Sequence, residues 1–217
     1  MDREVAERLA HLYTRRSLQG YARWKVRSDR AYSAVLAALR ERNRPLADVG
    51  CGIGLLAFFL REHGFTAPIV GIDFDQRKID VARAASRYDD LEFVVGDARD
   101  AFPPGHDVVL LDVLHYFDRD SQQKILANAA HADVVVIRQG IRDGSWRYRL
   151  TAAVDGLARV ARWMKAERLN FPSREEIVAA FAGFDAEIRP LWGRTPYNGY
   201  LFVFRRVAEF QSDRVAE

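Results

Sequence analysis

Between Leu46 and Arg138 the chain alternates short apolar runs with amphipathic ones, and this alternation constrains the fold more than any other feature. Strand-like runs occupy Leu46–Val49, Pro68–Ile72, Leu91–Val95, Asp107–Asp112 and Asp133–Arg138, with helical periodicity over about residues 54–63, 76–88 and 121–131. Such alternation argues for βαβ units, a mostly parallel sheet and helices on both faces. Residues 2–42 read as helices, with a break near Ser17–Gly20 and an apolar stripe through Tyr32, Val35, Leu36 and Leu39. Trp146 to Met164 keeps apolar residues at three- and four-residue spacing, which predicts a long amphipathic helix. Ser173 is placed to cap the next helix, with Glu175 and Glu176 in its first turn. Two late strands, Asp185–Arg189 and Tyr200–Arg206, flank a Pro/Gly-rich turn and predict an antiparallel hairpin at one sheet edge. The expected organisation is an N-terminal helical cap, residues 1–44, on a single α/β unit, residues 45–217.

In an open α/β sheet, ligands bind beyond the carboxyl ends of the strands. The first strand runs into Asp48-Val-Gly50-Cys51-Gly52-Ile-Gly54, where glycines permit a tight turn and close backbone approach. A helix starting there aims free N–H groups and a positive dipole end at the loop. The second strand ends at Gly-Ile-Asp73-Phe74-Asp75, with Asp73 nineteen residues past Gly54, a spacing suited to a ribose-binding carboxylate. Asp75 suits a helix N-cap instead. The third ends at Gly-Asp97-Ala98 and the fourth at Asp112-Val-Leu-His115-Tyr116-Phe. Four ligand-type signals on consecutive strand ends argue for an adenosine-type cofactor. The G-x-G-x-G spacing departs from the dinucleotide pattern, which disfavours a dehydrogenase.

Asp-Val-Gly-Cys-Gly-Ile-Gly closely resembles the first motif of class I S-adenosylmethionine-dependent methyltransferases, and the segments holding Asp73, Asp97 and Asp112 resemble the later motifs in order. The resemblance covers about residues 46–138 and implies a Rossmann-like, seven-stranded sheet with the last strand antiparallel. It implies S-adenosyl-L-methionine as cofactor and S-adenosyl-L-homocysteine as product. Asp48 and the loop at Gly50, Cys51 and Gly52 would hold the methionine end, and Asp73 the ribose, with Phe74 beside the adenine. Asp97 and the Ala98 N–H would bind the adenine edge, and Asp112 would close the pocket below the sulfonium. Shorter segments, including Tyr21-Ala-Arg-Trp-Lys-Val and Thr-Pro-Tyr197-Asn198, resemble small methyltransferases of aryl polyene and xanthomonadin-type pigment pathways. That narrower resemblance implies a hydroxyaryl acceptor on an acyl carrier protein.

His115 is the candidate general base or positioning residue for the acceptor, because an imidazole titrates near neutrality. Tyr116 is a weaker candidate. Tyr21, Trp24 and Lys25 from the N-terminal helices, Trp146 and Arg149 at the start of the long helix, and Tyr197 and Asn198 in the last turn would line the acceptor. Plain core packing competes for each aromatic.

The net charge of +3 conceals segregation: residues 1–44 carry 11 basic and 5 acidic groups, residues 138–168 carry 8 and 3, and residues 45–137 carry 8 and 15. The acidic centre suits a cationic sulfonium, and the basic flanks would steer an acidic partner. An RNA or other nucleic-acid methyltransferase is the competing reading, favoured by a pI near 9.1. No Asn/Asp-Pro-Pro-Tyr/Phe element follows strand four, which opposes it. A non-catalytic S-adenosylmethionine-binding protein is the third reading. One cysteine, no metal-site spacing and no apolar run long enough to span a membrane point to a reducing, cytoplasmic setting.

Overall fold

A computed structural model describes residues 3–151, 153, 169–192 and 197–207. Three helices, α1 (Arg3–Ala10), α2 (Arg16–Ser28) and α3 (Ala31–Leu39), precede β1 (Leu46–Val49), α4 (Leu55–Glu62), β2 (Ile69–Asp73), α5 (Gln76–Ala85) and β3 (Leu91–Val95). There follow β4 (Asp107–Leu111), a 3-10 turn over Leu114–Tyr116, α6 (Arg119–Ala129) and β5 (Val134–Gly140). A short helix at Arg174–Val178, β6 (Phe184–Pro190) and β7 (Gly199–Arg206) close the described fold.

The seven strands order as β3-β2-β1-β4-β5-β7-β6, and β7 runs antiparallel to both its neighbours. The strand-helix alternation and the terminal hairpin are therefore as the sequence predicts, with boundaries shifted by at most three residues. Covering helices explain why β1 reads Leu-Ala-Asp-Val and is buried throughout. Only β6, at the sheet edge, is largely exposed, and there Asp185, Glu187 and Arg189 give it charged side chains that discourage edge pairing.

The helical region departs from expectation at one point. The break falls at residues 11–15, and Gly20 lies inside α2. Tyr13 sets the break: it turns inward, its carbonyl accepts from Gln19 Nε2 at 2.9 Å, and its hydroxyl donates to the Ile53 carbonyl at 3.1 Å. Glycine inside an exposed helix costs only about 1 kcal/mol, which these contacts and neighbouring packing offset. Val5, Leu9, Tyr32, Val35 and Leu39 bury into one cluster with Phe58 and Phe59 of α4. Tyr13 meets Phe58, and Tyr32 meets Phe59, edge to face. The cap helices thus share their core with the first helix of the α/β unit.

Helix starts show how the sheet's carboxyl edge is kept available. Asp75 caps α5, Asp118 caps α6, and Ser173 with Glu176 forms a reciprocal capping box on the short helix. In contrast, α4 begins at Gly54 with no side-chain cap. At the opposite end of the sheet, Arg42 grips Asp107 at 2.9 Å and Arg44 pairs with Asp133. Of the helix expected over Trp146–Met164, residues 146–151 and 153 are helical and the remainder lies outside the described residues. No helix among the described residues is long and apolar enough to cross a membrane.

Candidate active site

The glycine loop carries Gly50, Gly52 and Gly54 at φ of +78°, +58° and +77°, a region that side chains with a Cβ rarely enter. At Gly50 a Cβ would also meet Val113 Cγ2 at 2.5 Å, and at Gly54 it would meet the Phe93 ring at 2.7 Å. The loop is therefore pressed against β4's exit on one side and β3 on the other. At Gly52 nothing lies within 4 Å of a would-be Cβ, so the middle of the loop faces open space. Gly50 N–H and Cys51 N–H donate to the Ile72 carbonyl at 2.7 and 3.0 Å, locking the loop to β2. Cys51 itself is buried, and burial pushes its thiol far up, so it stays protonated.

Two carboxylates sit behind the loop. Asp73 is buried; its Oδ2 accepts from Gly52 N–H and its Oδ1 from Asp75 N–H, both at 2.9 Å. Lys78 Nζ lies 3.7 Å away and also covers the exposed Phe74 ring. Asp48 is buried on β1, and its Oδ2 has no hydrogen-bond partner among the described residues. Burial, with Asp73 nearby, pushes the Asp48 carboxyl up to about 7. An orphaned buried oxygen facing such cost asks for a donor from outside the chain.

A cavity of about 890 Å³ opens at the carboxyl ends of β4 and β5. Asp112, which follows β4, lines it at φ +57°, a left-handed conformation that Asp tolerates better than most residues. Its N–H donates to the Arg138 carbonyl, and its carboxylate pairs with the Arg138 guanidinium. His115 and Tyr116 line the same cavity with their rings 4.2 Å apart, and Phe171 stacks on His115 at 5.3 Å. Gln139 Nε2 lies 2.9 Å from His115 Nδ1. Burial lowers the His115 pKa to about 4, so its ring is neutral at physiological pH. Trp24, Lys25, Tyr197 and Asn198 complete walls named from the sequence. Lys25 is paired with Asp29 at 2.7 Å, and burial of Asp29 is outweighed by Arg138 and Lys25, which hold its carboxyl low.

Other expected residues lie elsewhere. Asp97 and Gly96 line a second cavity of about 380 Å³, where Arg99 clasps the Asp97 carboxylate with both Nε and Nη2. Ala98 is buried beside them. Tyr21 packs against Trp24, and Trp146 stands exposed under Arg147; neither these two nor Arg149 lines the cavity. Arg138, Gln139 and Phe171 were not foreseen. The parallel register opposes Leu111 to Arg138, so reading the end of β5 beside that of β4 would have found the first two.

A family model described as a methyltransferase domain matches residues 46–135, the span that supplies the loop, both buried carboxylates and Asp112–Tyr116. That match covers less than half of the chain. Myricetin 3'/5'-O-methyltransferase 1 of Solanum habrochaites is 36% identical over 102 residues, covering 44% of this chain and 27% of that protein. The chain therefore spans about a quarter of the length of this curated relative. Among solved structures, an O-methyltransferase family protein from Burkholderia thailandensis superposes with a TM-score of 0.68 at 20% identity, over 93% of this chain and 62% of that one. Magnesium protoporphyrin IX methyltransferase from Synechocystis PCC 6803, solved with SAH bound, gives 0.63 at 16% identity over 93% and 86% of the two chains. At these identities the structures speak for the fold alone.

Proposed function

We propose that this protein is an S-adenosylmethionine-dependent methyltransferase that methylates an oxygen of a small aromatic acceptor. The observation that carries the reading is the adjacency of two differently built sites. A Cβ at Gly50 would strike Val113, the residue after Asp112, and Asp112 walls the aromatic cavity. Methyl transfer needs chiefly that alignment, with the reacting atoms held in line and water kept out.

The residues present fit the cofactor. The orphaned Asp48 oxygen suits its ammonium group, the space over Gly52 admits its backbone, and Asp73 retains acceptor capacity for ribose hydroxyls. The uncapped start of α4 supplies donors to its carboxylate. When bound, the cofactor supplies an activated methyl on a sulfonium, a leaving group that departs unaided. Asp97 and Ala98 remain candidates for its adenine, provided Arg99 releases part of the Asp97 carboxylate. Trp24, Tyr116, Phe171, Trp192 and Tyr197 give the acceptor cavity flat apolar walls, which suit a ring.

A carrier-tethered hydroxyaryl acceptor is the finer reading, supported by Lys25, Arg27 and Arg30 at the cavity and by Arg147 stacked on Trp146 and Trp192. Such a partner belongs in the cytoplasm, as does a buried, free Cys51. Binding of S-adenosylhomocysteine, followed by labelled methyl transfer to hydroxyaryl acceptors with and without an acyl carrier protein, tests the proposal. Product on the aromatic acceptor is expected; label entering bulk RNA alone would overturn it. Charge reversal at Arg147 and Arg149 should weaken carrier binding in low salt, and unchanged binding would remove the carrier from the reading.

A further inference from the structure

The Gln139 side chain settles which proton His115 carries. Gln139 is fully buried, and its amide has three fixed neighbours. The Leu114 N–H lies 3.1 Å from Oε1, while the Gly140 carbonyl lies 3.2 Å and His115 Nδ1 2.9 Å from Nε2. Leu114 N–H can only donate and the Gly140 carbonyl can only accept, so the amide has one workable orientation. Reversing it would set N–H against N–H and oxygen against oxygen in a dry site. One amide hydrogen therefore goes to Gly140 and the other to His115 Nδ1, which must offer a lone pair. The neutral ring then carries its hydrogen on Nε2. An imidazolium would confront the amide N–H with a second N–H, which opposes protonation from that side as well. Nε2 has no protein partner among the described residues, and His115 lines the acceptor cavity.

We propose that His115 serves as a hydrogen-bond donor, through Nε2–H, to an acceptor oxygen that enters already ionised, so that methyl transfer proceeds without a protein general base. The inference rests on the methyl-transfer reading and narrows its substrate class to aromatic acids, whether carboxylates or acidic phenols. The cavity's charges agree: Lys25, Arg27, Arg30 and Arg138 outnumber Asp29 and Asp112, and Tyr116 and Tyr197 are its phenols. In the step itself, the ionised oxygen forms its bond to the methyl carbon, the sulfur–carbon electron pair stays on sulfur, and no proton moves. The lowered basicity of the buried ring is consistent with a donor and unsuited to a base at neutral pH.

The ring nitrogens can be read directly. In a long-range nitrogen–proton spectrum of the uniformly labelled protein without ligands, the signal lost in His115→Gln should show a protonated Nε2 and a bare Nδ1 from pH 6 to pH 9. A protonated Nδ1 in that range overturns the donor role, whatever the chain's affinity for S-adenosylhomocysteine, which tests the methyl-transfer reading separately. For the acceptor, 4-nitrophenol and the less acidic phenol provide one arm and benzoate the other. The pH midpoint of kcat/KM should follow each phenol's own ionisation, while benzoate should show none above the carboxylate range; methyl ether or methyl ester identifies the favoured source. A midpoint shared by both phenols would overturn the proposal, because it would report a group on the protein. Replacing His115 by Phe should cost about a hundredfold in kcat/KM with cofactor affinity unchanged, and His115→Gln, which restores an N–H donor, should recover most of it. Equal losses in the two variants would count against the donor role.

Discussion

The glycine-loop edge and the aromatic cavity at the ends of β4 and β5 are built in opposite ways. The loop edge draws on residues 48–54 and Asp73, and it works largely through backbone: three left-handed glycines, N–H groups locked to Ile72, and a Gly52 N–H held by Asp73. The cavity gathers side chains from α2, the turn after β4, the end of β5, Phe171 and the β6–β7 connection, spanning Trp24 to Gly199. A site made of backbone tolerates little substitution at its glycines, because the conformation itself is at stake. A site made of side chains can lose one wall and keep its frame.

The contrast should appear first in Gly50→Ala. A left-handed alanine costs on the order of 1–2 kcal/mol, and the 2.5 Å approach to Val113 adds roughly 1–3 kcal/mol of overpacking. Calorimetry should find S-adenosylhomocysteine affinity reduced by about a hundredfold or more, with a lower urea midpoint; near-normal affinity would break the backbone account. Asp73→Asn should rank next. Its amide nitrogen must face either Gly52 N–H or Asp75 N–H, at about 1–3 kcal/mol for the unpaired donor, so affinity should fall roughly tenfold or more.

Asp48 offers a pH test. Its folded pKa of about 7 lies above the ordinary carboxylate range near 4, so the folded chain holds a proton there that the unfolded chain has released. Stability from this group therefore declines as pH rises from about 4 to 7 and is level above that. Asp48→Asn should flatten that decline in urea titrations. Affinity for the cofactor's ammonium should strengthen as pH rises toward 7, by at most tenfold per unit, and lose that dependence in the variant. The smallest effect belongs to Trp24→Ala. With 62% of Trp24 exposed, stability should move by less than about 0.5 kcal/mol. Acceptor KM should rise severalfold, while cofactor affinity stays constant. A matching loss of cofactor affinity would merge the two regions into one.

These differences also explain what could be read from the chain. The strand-helix alternation and the glycine loop were legible because each is a local pattern: an apolar run, a turn that only glycine allows, a carboxylate at the strand end. The Asp75 cap and the Ser173 capping box were legible for the same reason. The helix break was misplaced because Gly20 is a local breaker, whereas the real break is set by Tyr13 reaching Ile53, 40 residues along the chain. Arg138 and Gln139 escaped because their meaning depends on register with β4, a tertiary fact. Asp97 looked equivalent to Asp112 at a strand end, yet the two line different cavities. Only the structure shows that Lys25 reaches the cavity already committed to Asp29.

The spare burial of α2 has a practical consequence. This helix buries only Ala22 and Val26, yet it contributes Trp24, Lys25, Arg27 and Ser28 to the aromatic cavity. It behaves as an interchangeable panel on a fixed chassis. A library confined to Trp24, Arg27 and Ser28 would reshape one wall of the cavity while leaving the sheet, the glycine loop and the Lys25–Asp29 pair in place.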